Sequence, residues 1–125
     1  MAENKESSSL RIPPQAIEAE QAVIGSMMND PEAVPRAMHY VHEACFYKPA
    51  LNKIFVCILE LFDKNDSIDT ITVIAQLQKN GNLENVGGAY FVTGLSSEAP
   101  SSENIEYYAK IVRDKYILRK IISSA

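Results

Sequence analysis

Pro49–Lys64 reads PALNKIFVCILELFDK. Its apolar residues Leu51, Ile54, Phe55, Ile58, Leu59, Leu61 and Phe62 return at steps of three and four, the spacing that gathers side chains on one face of a helix. No other stretch carries so strong a helical pattern, and this helix is expected to form the centre of the core. Lys64–Ser67, KNDS, reads as the loop that follows. Asp69 or Thr70 then offers a side-chain oxygen to cap a helix carrying Ile71, Ile74 and Leu77, although β-branched residues weaken that helix.

Outward from this centre the chain punctuates itself. On the N-terminal side, residues 1–11, MAENKESSSLR, have almost nothing to bury and are expected to be a mobile arm ending at Pro13 and Pro14. From Ala16, Ile17, Ile24 and Met28 with Val23 and Met27 make one oily face of a helix running to about Met28. Asp30-Pro31 signals a turn, and because Pro35 breaks a helix interior the next helix is expected to start there. On the C-terminal side, Asn80-Gly81-Asn82 supplies a stop, and Gly87-Gly88 opens a short apolar segment with Tyr90, Phe91 and Leu95, for which strand competes with helix. Pro100-Ser101-Ser102-Glu103 starts a last helix, with hydroxyl caps and an acid at the positive end of the dipole. The expectation is an all-α fold, a small orthogonal bundle of about six helices ending in a long one.

The 125 residues make one ordinary domain, large enough to bury a core without disulfide or metal. With 46% hydrophobic and 22% charged residues, the chain is composed like a soluble globular protein. Its net charge of −4 opposes a primary role in holding phosphate backbones. Cys45 and Cys57 come without a basic leader or a long apolar run, so a reducing cytoplasm is expected and no membrane.

The chemistry of catalysis finds little footing. None of Gly25, Gly81, Gly87, Gly88 and Gly94 precedes a lysine, so no phosphate-cradling loop exists in these residues. His39, His42, Cys45 and Cys57 could supply the four ligands of a zinc ion. Cys57, however, sits in the most hydrophobic helix, where a thiol behaves as a small apolar group, and no metal is expected. Asp63, Asp66 and Asp69 lack the glycine and closing glutamate of a calcium loop. Glu18 and Glu20 are two apart, a spacing that sends them to different sides of a helix, with Glu18 facing solvent. Ile71–Leu83 resembles half of a helix-turn-helix, but Lys79 is its one base, too few for a DNA reader.

The last helix is the informative one. At about 100° per residue, Ile105, Tyr108, Ala109, Val112 and Tyr116 form one stripe, suited to packing on the preceding globule. Ile111, Leu118 and Ile122, with Ile121 near them, form a second stripe more than a third of a turn away. Both could be buried in one core, but a cluster of leucine and isoleucine at a chain end more often marks an interface or a place where more protein follows.

Six blocks carry a family resemblance. They are IPPQAIEAEQAVIGSMM at Ile12–Met28, Phe46-Tyr47, NKIF at Asn52–Phe55, IDTITV at Ile68–Val73, VGGAYF at Val86–Phe91 and PSSENIEYYAKIVRDKYILRKI at Pro100–Ile121. In content and order they resemble the N-terminal domain of DnaB-type replicative helicases, over Ile12 to Ala125. One departure is the ALNKIF run from Ala50, where many relatives carry a histidine. The resemblance implies a head over residues 12–100 and, from residue 101, the start of a helical hairpin. It implies that a RecA-like ATPase domain, which would hold ATP and magnesium, is absent from this chain, so the 125 residues bind no cofactor and unwind nothing alone.

The family's N-terminal domains pair through their hairpins into a collar, a trimer of dimers above the motor ring, and dock a DnaG-type primase. Carried to this chain, Ile111, Leu118, Ile121 and Ile122 are expected to self-associate. Glu18, Tyr90 and the surface near Arg119 are nominated for primase docking. A helicase loader is a further candidate partner, and DNA is expected to be met only through the intact hexamer. The competing readings are a stand-alone helical adaptor or scaffold and a small DNA-binding domain.

Overall fold

Pro13 and Pro14 lack amide hydrogens and restrain the backbone before them, so regular helix begins only beyond this pair. The computed structural model describes residues 12–124; the arm expected over residues 1–11 lies outside the described residues. Helix α1 spans Ile17–Asn29, α2 Ala33–Met38, α3 Pro49–Asp63, α4 Thr70–Lys79, α5 Gly88–Ser97 and α6 Ile105–Ser124. Short 3₁₀ turns occupy Glu43–Cys45 and Ser102–Asn104. No strand occurs among the described residues. The fold is all-α, and the strand reading of the Tyr90–Leu95 segment gives way to helix α5.

Local chemistry accounts for the boundaries. Asp69 caps α4 by accepting the Thr72 amide at 2.8 Å, while the Thr72 hydroxyl accepts the Asp69 amide at 2.9 Å. That reciprocal pair offsets the modest helix propensity of the β-branched residues after it. Gly87 and Gly88 take φ of +114° and +80°, a reversal open to glycine that aims the chain into α5. The expected start of α2 at Pro35 is corrected. The helix begins at Ala33, and Pro35 occupies its first turn, where a missing N–H forfeits no intrahelical bond.

The core's centre also needs correction. Leu51, Ile54, Phe55 and Ile58 of α3 are fully buried as expected, but α1 packs against all five other helices. Residues Val23 to Met28 are all buried, so the apolar character of α1 is spread around its axis instead of along a stripe. Close approach to α5 is possible because residue 25 is glycine. A methyl there would collide with the Leu95 carbonyl oxygen and the Ala99 side chain. The last turn of α5 is then tied to the end of α1 by Asn29, which donates to the Ser96 carbonyl at 2.8 Å, and the connection to α6 by Asp30, which accepts from the Ser102 hydroxyl at 2.7 Å.

Candidate functional site

Helix α6 changes character along its length. Ile105, Ala109 and Val112 are fully buried against α1 and α2, and Tyr108 and Tyr116 of the same stripe are half-buried. Beyond Val112 no described residue of α6 is buried. There the large apolar side chains face outward: Leu118 is 43% exposed, Ile121 61% and Ile122 60%. Ile117, 45% exposed, extends this surface and was not among the nominated residues. Its four-residue step to Ile121 is the signal that points to it. Ile111 is placed differently, half-buried in a cleft with Gln15, Ala16, Ile17, Glu18 and Tyr108.

Arg119 turns inward. Its Nη1 donates to the Pro14 carbonyl at 2.8 Å and its Nη2 to the Cys45 carbonyl at 2.7 Å. The guanidinium lies 5.3 Å from the Tyr47 ring centre and 5.9 Å from that of Tyr116. Both terminal nitrogens of the guanidinium thus donate inside the domain, to two segments far apart in sequence.

Glu20, which sequence reasoning weighed only as half of a carboxylate pair, is buried beside this group. Its carboxylate accepts the amides of Tyr47 at 2.9 Å and Lys48 at 3.3 Å, at the N-terminal end of α3, where Lys48 provides no side-chain cap. An acid there meets the positive end of the helix dipole. Burial raises the Glu20 pKa above its ordinary value, and the two amides and the charges of Arg119 and Lys48 oppose that rise. The signal was available: Glu20 lies three residues after Ile17 and four before Ile24, on the oily face of α1.

The remaining nominated residues are separated. Glu18 is exposed on the first turn of α1, at the rim of the Ile111 cleft, whereas Tyr90 is 94% exposed on α5. Glu18, Tyr90 and Arg119 therefore sit on three different helices. The possible zinc ligands have other engagements. His42 places its ring edge-on to Tyr116 at 5.1 Å, and the Cys57 thiol donates to the Val73 carbonyl at 3.6 Å. Burial pushes the Cys57 thiol up to about 12, which disfavours the thiolate that a metal would need. Among the described residues no three His, Cys, Asp or Glu side chains converge, and no helix is long and apolar enough to cross a membrane.

Comparison with known proteins places this arrangement. The profile of the DnaB-like helicase N terminal domain matches residues 12–114. The chain belongs to that family. Replicative DNA helicase DnaB of Geobacillus stearothermophilus is 42% identical over 115 residues, covering 92% of this chain and 25% of the relative. Replicative DNA helicase DnaC of Bacillus subtilis (strain 168) gives the same identity and coverage. The crystal structure of the N-terminal domain of DnaB helicase from Mycobacterium tuberculosis matches with a TM-score of 0.88 at 34% identity, over 90% of this chain and 82% of that one. The chain thus spans about a quarter of the length of these two curated relatives. The DnaB-family match ends at residue 114, just before the outward-facing turns of α6.

Proposed function

We propose that this chain acts as the assembly and docking domain of a replicative DNA helicase. Pairs of copies cover one another's distal α6 face, and the pairs build a hexamer collar as a trimer of dimers. The observation that carries this reading is the exposure of Ile117, Leu118, Ile121 and Ile122 on consecutive turns of one helix. Four large aliphatic side chains held in water by a rigid backbone are unfavourable unless another surface covers them. Ile111, at the inner edge of the same helix, belongs to this contact as its boundary with the head.

In the intact protein, ATP-dependent unwinding of duplex DNA at the fork belongs to a RecA-like domain outside these residues. ATP and magnesium belong to that domain too, because no glycine here precedes a lysine and the chain offers no phosphate cradle of that kind. The 125 residues are accordingly non-catalytic, work in the cytoplasm, and meet DNA only through the hexamer. The collar docks primase, with Glu18 and Tyr90 presenting exposed side chains on separate helices and the surface near Arg119 as a further contact, and it is open to a helicase loader.

The test is sedimentation velocity of the wild-type chain against Leu118→Asp/Ile122→Asp. A shift to a folded monomer with unchanged helical circular dichroism is expected, and sedimentation identical to wild type overturns the proposal. For docking, titration with a primase C-terminal domain should show weaker binding for Glu18→Ala and Tyr90→Ala. Equal affinity for both variants and wild type removes those residues from the site.

A further inference from the structure

Something other than apolar burial must hold the distal half of α6 against the head, since no side chain after Val112 is buried there. Three inward contacts fill this role, the first being the Arg113 guanidinium 5.6 Å from the Tyr40 ring centre. Tyr116 sets its half-buried ring against His42, and Arg119 spans the gap to two carbonyls on separate segments, Pro14 ahead of α1 and Cys45 ahead of α3. Neither carbonyl belongs to α6. The guanidinium thereby ties three parts of the chain at one point, next to the rings of Tyr47 and Tyr116. Glu20 sits behind the tie and holds the backbone at Tyr47 and Lys48 in place, and its negative charge favours the guanidinium.

Arg119 lies one residue from Leu118 and three from Ile122, so the direction in which those side chains leave the head follows from where this side chain is anchored. The geometry points to a latch: Arg119 is a positioning residue that fixes the orientation of the distal α6 face and thereby controls self-association through it. The second half of this inference rests on the function proposed above, while the first does not. A planar fork donates to both carbonyls from two fixed nitrogens while its face lies against two aromatic rings; an ammonium offers one compact nitrogen on a flexible stem.

The experiment combines amide hydrogen exchange with sedimentation equilibrium on the full 125-residue chain, comparing wild type, Arg119→Ala and Arg119→Lys. Arg119→Ala should speed exchange in peptides covering residues 115–124 by roughly tenfold or more, leave α3 unchanged, and weaken dimerisation by a similar factor. Arg119→Lys should behave like the alanine variant. Distal exchange equal to wild type overturns the latch, as does acceleration spread equally over all helices. Faster distal exchange with an unaltered dimer dissociation constant overturns its control of association. A wild-type chain that stays monomeric at every concentration defeats the proposed function, and the exchange comparison still decides the latch.

Discussion

The two halves of α6 are parts of one continuous helix held by different forces. From Ile105 to Val112 the helix is bound by fully buried aliphatic side chains, each worth about 1.5–3 kcal/mol when a large one leaves water. From Arg113 to Ser124 it is bound by two guanidinium groups, Arg113 over the Tyr40 ring and Arg119 on two carbonyls, and by one tyrosine ring. A hydrogen bond to a charged group contributes about 1.5–3 kcal/mol, so the arginine tie is comparable to one or two core residues. The inner half therefore serves the fold, while the outer half keeps its large aliphatic side chains exposed. Exposed aliphatic residues signal function only where, as here, neighbouring turns of the same helix show that burial was within reach.

The sharpest way to break this contrast is to truncate the inner half. Ile105→Ala removes a fully buried side chain and should cost about 2–5 kcal/mol in urea unfolding. A cost as small as that of an outer-half substitution would erase the distinction.

A smaller effect sharpens it at the junction. Burial holds the folded-state pKa of Glu20 above its ordinary 4.5, so between that value and the raised one the folded state binds more protons than the unfolded state. Stability contributed by this group is then greatest below the window and falls as pH rises through it. Urea midpoints measured from pH 4.5 to neutrality should decline more steeply in wild type than in Glu20→Gln. Parallel curves would show that the buried acid is not perturbed as described.

The smallest effect lies in the outer half. Leu118→Ala, measured on dilute monomer, should change stability by no more than about 0.5 kcal/mol, the ordinary range for a surface site. A loss of several times that size would mean that Leu118 belongs to the core.

The sequence reading succeeded where one physical signal acts alone. The three- and four-residue steps from Leu51 to Phe62 gave α3, and the oxygen of Asp69 marked the start of α4, because periodicity and capping are local. It failed where a local rule meets tertiary context. Pro35 was read as a helix start because a proline interior to a helix is costly, but two residues of first turn fit ahead of it. The hub role of α1 stayed hidden because its apolar residues were read as one oily face, whereas Val23 to Met28 are buried all round its axis. Glu20 was weighed only as half of a carboxylate pair, whereas its partners are amides 27 and 28 residues further along the chain. Arg119 was taken for surface, and the carbonyls it ties are 105 and 74 residues away. The family was legible from short blocks in order, but no spacing rule could say which side chains of α6 stay exposed.

The claim that the outer half of α6 binds a second copy is tested most directly by methyl NMR of the wild-type chain over a wide concentration range. The methyl resonances of Ile117, Leu118, Ile121 and Ile122 should shift or broaden as concentration rises, while those of Ile24, Ile58 and Ile105 stay fixed. Concentration-independent spectra, or changes centred on a face that excludes those four residues, would contradict it.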